Sequence, residues 1–283
     1  GNDLQCGYHG LIFNGVGDCV SAPTQDAPPD CKIRQYPVQE NMGMVWIWMG
    51  DPALADTDEI FDLPQYHQEE WAVAFGDALD VEANYLLLCD NLCDPTHVNY
   101  VHPSTLGNPD RINAPVTHED TSWGVLTERL TPNSSPTGFV AAFGQQGGKV
   151  DMWQRYLMYT PSVSIIDFGA TTAGTGSWQG GGKERIQVFS CHFMTPITET
   201  RTIDRWLHVR DFGADDPLVG ERISEQFRIA FAEDKEILQA VQGEENRHEG
   251  RFKIGLELDA SAGLFRRKIN KLVRAETPAH AAE

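Results

Sequence analysis

Residues 90–102 of the sequence read DNLCDPTHVNYVH and place two imidazoles near two acidic side chains, Asp90 and Asp94. His97 and His102 are five positions apart, and Asp94 precedes His97 by three. A ferrous iron that must also bind oxygen favours two neutral imidazoles and one carboxylate on one face of its coordination sphere. The spacing alone fits a helix end with capping and core histidines equally well. A zinc peptidase is excluded, because its histidines are four residues apart with a glutamate after the first.

The residues before this cluster predict the element that holds it. Apolar residues recur at helical spacing around Leu86, Leu87 and Leu92, so we expect the cluster to lie late on a helix. A five-residue offset in a regular helix would put two side chains about 140° apart. We therefore expect the helix to loosen just before Pro103, which lets His102 turn inward.

Composition and charge exclude several classes of function. The chain has 283 residues, 41% of them apolar, which is typical of a folded globular protein. Its formal net charge of -19 opposes binding to nucleic acid, because such binding depends on clustered Lys and Arg. No apolar run is long enough for a membrane span, and no signal peptide is recognisable. We expect a soluble, cytoplasmic protein with no nucleic-acid or membrane partner.

Further from the cluster, the sequence predicts an α+β fold with two domains. Residues 1–52 contain short apolar runs between turn residues, which indicate a small all-β domain, and an acidic linker follows. Residues 53–283 form the second domain. Several strand-like stretches between 115 and 210 predict an antiparallel sheet, and apolar spacing over 217–242 predicts a long amphipathic helix. Residues 266–274 predict a short basic helix, whose charges we assign to a solvated face rather than to an acidic partner.

A second cluster lies near the start of the chain. The stretch LQCGYHGLIFNG places Cys6 and His9 at C-x-x-H spacing, with glycines on either side. One thiolate and one imidazole from such a turn are half of the ligand set of a Rieske [2Fe–2S] cluster, in which Cys₂ holds one iron and His₂ the other. The alternative is a buried cysteine beside a surface histidine.

With both clusters present in this order, the chain resembles the oxygenase component of Rieske non-haem iron oxygenases over nearly its whole length. The similarity is greatest to the group that contains vanillate O-demethylase, dicamba O-demethylase and toluenesulfonate methyl-monooxygenase. It is carried by CGYHGLIFNG, DNLCDPTHVNYVH, HFMTP and FAEDKEIL. The resemblance implies a partial Rieske domain followed by a helix-grip catalytic domain with an antiparallel sheet and a long C-terminal helix.

The resemblance also assigns roles to individual residues. It implies that Cys6 and His9 ligate the Rieske cluster. It likewise implies that a mononuclear iron is held by His97, His102 and Asp234. Asp94 matches an aspartate that links an iron histidine of one subunit to a cluster histidine of the next, which implies a head-to-tail ring, usually a homotrimer.

One departure from the family pattern concerns the other half of the cluster. The family supplies its remaining two ligands as C-x-H upstream of C-x-x-H, and this sequence contains no C-x-H motif. The chain also lacks an initiator Met and starts directly in a strand-like run. We expect the upstream segment to be missing from this sequence rather than from the protein.

The reaction implied by the resemblance is monooxygenation of a small aromatic substrate by O₂. Electrons would come from NAD(P)H through a partner reductase or ferredoxin. The similarity favours O-demethylation of a methoxyarene with release of formaldehyde. Two alternatives stay open: ring cis-dihydroxylation or N-demethylation at the same iron, and a non-catalytic helix-grip protein that binds a small molecule.

Three residues are candidates for substrate binding, from their positions relative to the family's substrate contacts. Asp167 and His192 lie on predicted strands, and Glu225 lies on the long helix, where we expect it to face the cavity. A satisfied core histidine is an equally good interpretation of His192. Asp167 and Glu225 would suit substrate hydroxyl groups better than carboxylates, which favours a phenolic methoxyarene.

Overall fold

The computed structural model describes residues 2–144, 147–175, 185–248 and 255–276. The chain folds as two compact units, Gly1–Leu63 and Pro64–Glu283. The predicted boundary near residue 52 is too early, because the acidic segment belongs to the first unit. The Asn41 side chain donates hydrogen bonds to the Phe61 carbonyl at 3.0 Å and to Asp62 Oδ1 at 3.1 Å. No helix among the described residues is long and apolar enough to cross a membrane.

The first unit is all β, as predicted. Strands β1 (Leu4–Gln5), β2 (Ile12–Phe13) and β3 (Cys19–Ser21) form an antiparallel sheet, and β4 (Val38–Asn41) pairs with β5 (Met44–Ile47). Met42 and Gly43 join β4 to β5, and both have a positive φ. Two-residue hairpin turns need this geometry at both central positions, because its twist matches that of the strands.

The second unit is built on a seven-stranded antiparallel sheet in the order β6-β12-β11-β10-β9-β8-β7. The strands are β6 (Ala72–Val81), β7 (Val116–Asp120), β8 (Gly124–Ser134), β9 (Val150–Tyr159), β10 (Val163–Thr172), β11 (Arg185–Thr198) and β12 (Arg201–Arg210). Strands β7 to β12 follow one another as a meander, and β12 returns to pair with β6. The predicted antiparallel sheet is confirmed.

The described residues of the second unit also form five α-helices: α1 (Tyr85–Cys93), α2 (Val98–Val101), α3 (Gly138–Phe143), α4 (Pro217–His248) and α5 (Ala260–Glu276). The long helix predicted over 217–242 is α4, which extends one and a half turns further. The predicted basic helix is part of α5. Its Phe265 and Ile269 are buried, while Arg266 forms an ion pair with Asp90 of α1, so one side of α5 packs on the protein rather than facing solvent alone.

Helix α4 is fixed against the sheet by aromatic packing. Trp206 of β12 lies edge-on to Phe227 and Phe231 of α4. The indole also covers Gly76 on the neighbouring strand, where an added Cβ would come within 2.0 Å of the ring. Glycine at this position therefore allows the close approach that the packing needs. This packing places the middle of α4 against β12, the second strand of the sheet.

Candidate metal centre and substrate cavity

The helix predicted to carry the histidines ends earlier than expected. α1 stops at Cys93, and Asp94 follows in extended backbone because it precedes Pro95, which disfavours the helical conformation. The last carbonyls of α1 are satisfied by side chains, since Ser164 donates to Leu92 O and Ser261 donates to Cys93 O, each at 3.3 Å. The break thus occurs at Pro95 and not only before Pro103.

Both histidines lie at the ends of the short helix α2. His97 is the residue before α2, and His102 is the residue after it, with a non-helical backbone at φ -116° and ψ 51°. The predicted loosening at His102 is therefore present. The ring centroids of the two histidines are 5.4 Å apart and their planes are nearly perpendicular. The break and the short helix together direct two imidazoles to one point.

Asp234 meets these imidazoles from the middle of α4. Its Oδ1 lies 3.6 Å from His97 Nε2 and 3.1 Å from His102 Nε2. One ligand atom from each of the three residues can be chosen so that all lie within 4.8 Å of one another. Asp234 is 8% exposed. Two imidazoles and one carboxylate, converging through Nε2 and Oδ1, are the donor set that non-haem ferrous iron prefers.

Two further side chains orient this donor set. Glu233 Oε2 lies 2.8 Å from His102 Nδ1. The protonated Nδ1 therefore donates a hydrogen bond to this carboxylate, and Nε2 is left free to bind a metal. Asn91 of α1 donates a hydrogen bond to Asp234 Oδ1 at 2.9 Å. Burial works to raise the pKa of Asp234, but His102, His97 and Asn91 hold it below its usual value. The carboxylate is therefore ionised and ready to bind a cation.

Asp94 lies beside His97 and closes the loop between α1 and α2. Its carboxylate accepts hydrogen bonds from the Thr96 amide at 2.6 Å and the Thr96 hydroxyl at 2.8 Å. Its Oδ2 is 3.8 Å from His97 Nδ1, a buried nitrogen with no hydrogen-bond partner among the residues described. Burial favours a higher pKa for Asp94, but its contacts with His97 and Thr96 lower the pKa overall.

Cys6 and His9 lie in the tight turn between β1 and β2. The Cys6 amide donates to Leu11 O at 2.8 Å, and the Gly10 amide donates to Cys6 O at 3.0 Å. The backbone amides of Tyr8 and His9 are hydrogen-bonded to the Cys6 sulfur and lower the pKa of this thiol. Both side chains are exposed. The turn thus offers one cysteine sulfur and one imidazole, which fits half of the ligand set of a Rieske cluster.

A mostly apolar cavity opens beside the three converging residues. Its walls come from α1, α2, α4 and the sheet, with apolar side chains that include Leu92, Leu106, Met152, Ile166, Phe168, Phe227 and Phe231. A few polar side chains also line it: Thr137, Arg111, Gln154, Tyr156 and Ser190. A largely apolar pocket with a few placed polar groups is typical of a small-molecule site.

The comparisons with known proteins agree with this geometry. Residues 81–275 match the model of the vanillate O-demethylase oxygenase C-terminal domain. The chain belongs to this family. The family's C-terminal domain covers α1 to α5 and so contains the converging triad and the cavity.

Individual proteins of known activity are similar to nearly the whole chain. The chain is 35% identical to the toluene-4-sulfonate monooxygenase iron-sulfur subunit of Comamonas testosteroni, over 98% of this chain and 81% of the relative. It is 33% identical to the vanillate O-demethylase oxygenase subunit of a Pseudomonas species, over 98% and 86%. The crystal structure of dicamba monooxygenase bound to 3,6-dichlorosalicylic acid superposes with a TM-score of 0.87 at 29% identity, covering 98% and 81%.

None of the three predicted substrate residues of this family member is among the residues that line the cavity. The Glu225 side chain is 66% exposed and pairs with Arg228 at 3.3 Å. Asp167 follows Ile166 and precedes Phe168, both of which line the cavity, so it points to the opposite face of the sheet. There it accepts hydrogen bonds from Trp153 at 2.9 Å and from Gln187 at 2.7 Å, and burial raises its pKa.

His192 lies one side chain behind the cavity wall. Its Nδ1 is 2.7 Å from Asp204 Oδ2, and its Nε2 is 3.0 Å from Ser190 Oγ, with all three residues buried. The Asp204 carboxylate keeps the ring proton on Nδ1, so that Nε2 accepts a hydrogen bond from the Ser190 hydroxyl group. Ser190 then presents its oxygen lone pairs to the cavity. Of this pair, Ser190 lines the cavity, and His192 holds its hydroxyl group from behind.

Sequence reasoning missed four residues of this site: Asn91, Arg111, Ser190 and Glu233. Glu233 precedes Asp234, and Asn91 lies three residues before Asp94, but the contacts of both residues depend on how α4 and α1 are oriented. Arg111 is the last residue of a short 3₁₀ turn and is 3% exposed, although the surrounding sequence, NPDRINAP, resembles a surface loop. Nothing in the sequence distinguishes it from an exposed arginine.

Proposed function

We propose that this chain is the terminal oxygenase component of a Rieske system that monooxygenates a small aromatic substrate with O₂, with O-demethylation of a methoxyarene as its reaction. The convergence of His97, His102 and Asp234 beside an apolar cavity is the observation that carries the proposal. These three residues would hold a mononuclear ferrous iron, which when bound supplies the activation of oxygen.

The protein's own contribution is to bind, orient and exclude water. Aromatic and aliphatic walls would hold an aromatic ring close to the metal centre and keep the site dry. Glu233 and Asn91 would fix the orientation of His102 and Asp234, because groups that hydrogen-bond to metal ligands set their geometry and basicity. Ser190 would receive a hydrogen bond from a hydroxyl group on the substrate.

We propose that Cys6 and His9 are two ligands of a [2Fe–2S] Rieske cluster held by a domain that spans residues 1–52 and the segment that follows. Electrons would reach it from NAD(P)H through a reductase or ferredoxin, in keeping with relatives that are named as components of larger systems. For Asp94 we propose the link between His97 and a cluster histidine of a neighbouring subunit in a homotrimer. The unpartnered His97 Nδ1 beside this carboxylate supports that role.

Turnover of methoxyarenes is the test of this function. The purified protein, reconstituted with ferrous iron and a reductase that accepts NADH, should convert methoxybenzoates to phenols and release one formaldehyde per phenol. The Asp234→Ala variant should release none. Glu225→Gln, a change on the exposed side of the same helix, should retain full activity and serves as the matched control.

The products also separate the alternatives. A cis-diol without formaldehyde would indicate ring dihydroxylation, and formaldehyde from N-methyl but not O-methyl substrates would indicate N-demethylation. A protein that binds the aromatic ligand with the same affinity after His97→Ala, and contains no iron beyond the cluster, would be a non-catalytic binder.

A further inference from the structure

Arg111 is a buried cation without a partner. It lines the cavity and is 3% exposed, yet the described part of the chain gives its guanidinium neither a carboxylate nor a hydrogen-bond acceptor, and its Nε is buried without a partner. Burial lowers the pKa of Arg111 to about 10, so it remains charged near neutral pH. Removing a charge from water is costly, and buried charges in folded proteins are normally paired.

Other buried arginines of the same unit show how the fold ordinarily satisfies this group. Arg129 donates to Pro95 O at 3.0 Å, and Arg210 donates to Gly213 O at 3.2 Å. Arg155, which is only partly buried, pairs with Glu128 at 2.6 Å. All three buried arginines leave Nε without a partner, but among the described residues only Arg111 makes no side-chain hydrogen bond at all, and it is the one that lines this cavity. Its guanidinium is therefore available to a group that enters the cavity.

The neighbours of Arg111 in the cavity also favour an anion. Tyr156 is close enough to Arg111 for the two to affect each other electrostatically, and burial raises the pKa of the Tyr156 phenol, so its proton stays in place. Gln154 Nε2 donates to the Tyr156 oxygen at 3.2 Å, which leaves the phenolic proton free to be donated. A guanidinium and a phenol together offer several donors to one set of oxygens.

We propose that Arg111, assisted by Tyr156, binds an anionic substituent of the substrate and thereby selects aromatic acids over their neutral analogues. A carboxylate or a sulfonate satisfies this chemistry, because each has at least two anionic oxygens that can accept hydrogen bonds from two N–H groups of the guanidinium. This inference rests on the proposed function for its aromatic substrate, but it assigns the anchoring residue independently of the reaction. Arg111 acts on specificity and does not touch the metal centre's ligands.

Ligand binding without turnover tests the proposal. Calorimetry, with no electron donor present, would compare 4-methoxybenzoate with 4-methoxybenzamide, and 4-methylbenzenesulfonate with 4-methylbenzenesulfonamide. The wild type should prefer at least one acid over its amide, and the better acid identifies carboxylate or sulfonate. Arg111→Met should weaken binding of that acid by about 10- to 100-fold, the range for a hydrogen bond to a charged group, and leave the amide unchanged.

Controls distinguish a binding role from a structural one. Arg111→Lys keeps the charge and should retain part of the acid preference, while Arg228→Met, on the exposed side of α4, should retain all of it. Without ligand, Arg111→Met should unfold at the same temperature as the wild type or higher, because it removes an unpaired buried charge. The acid should raise the unfolding temperature of the wild type and of Arg228→Met, but much less that of Arg111→Met.

Three results would overturn the proposal: equal affinity of the wild type for acid and amide, unchanged acid affinity in Arg111→Met, or a marked loss of stability in that variant without ligand. Failure of the proposed function gives a different pattern. In that case the acids bind through Arg111 as described, but the complete system releases no formaldehyde from them.

Discussion

His208 makes the attachment of helix α4 sensitive to acid. The side chain lies on β12, is completely buried, and its Nε2 is 3.1 Å from Ser224 Oγ on α4. Burial, aided by the nearby positive charge of Arg210, lowers the pKa of His208 from 6.5 to about 4. Asp234 lies on the same helix, so loosening α4 would also disturb the metal centre.

The magnitude follows from the two pKa values. Because the folded-state pKa is the lower one, the unfolded chain takes up the proton first as the pH falls through the window from 6.5 to about 4. From about pH 7 to about pH 5, this single group should reduce the free energy of unfolding by about 2 kcal/mol. The loss levels off below about pH 4, where both states are protonated.

Urea unfolding, followed by circular dichroism at the two pH values, measures this loss. The non-titrating variant His208→Gln, whose amide can still bond to Ser224, should lose about 2 kcal/mol less stability than the wild type over the same interval. All other titrating groups are common to both proteins and cancel in the difference. Equal losses in the two proteins would refute the assignment of this acid sensitivity to His208.

Three further predictions concern the metal centre and the cavity. Asp94→Asn should keep its ferrous iron, measured by metal analysis, but lose nearly all product formation; an unchanged steady-state rate would contradict the proposed link to a neighbouring subunit. Glu233→Gln should weaken iron affinity by about 10-fold, measured by competition with a chelator, because the proton of His102 Nδ1 loses a charged acceptor; wild-type affinity would show that Glu233 has no orienting role. Ser190→Ala should weaken binding of a phenol by about 10-fold in calorimetry but not that of its methyl ether, and equal effects on both ligands would rule out a hydroxyl contact.

Much of the fold was predictable because it depends on local periodicity. Consecutive strand-like stretches separated by turn residues indicated the antiparallel meander. The apolar spacing at Ile223, Phe227 and Phe231 indicated the buried face of α4. Asp234 falls on that same face, since eleven residues from Ile223 correspond to about 20° around the helix. Glu225 is about 200° from Ile223, which explains why it faces solvent. This error could have been avoided from the sequence.

Other features depend on contacts between distant parts of the chain. The helix break at Asp94 was predicted too late because Pro95 was not weighed against the apolar spacing around it. The placement of Asp167 depends on which face of β10 it occupies, and in a strand buried on both sides no alternation of polarity reveals this. Arg111 and Ser190 reach the cavity only through the tertiary fold.

The central claim is that His97, His102 and Asp234 together bind one iron. An anaerobic titration with ferrous iron, in the presence of nitric oxide and followed by electron paramagnetic resonance, measures this site separately from the cluster. The account predicts one ferrous nitrosyl centre per chain in the wild type and in Glu225→Gln, and its loss in Asp234→Ala and His102→Ala. An undiminished signal in either of the last two variants would contradict it.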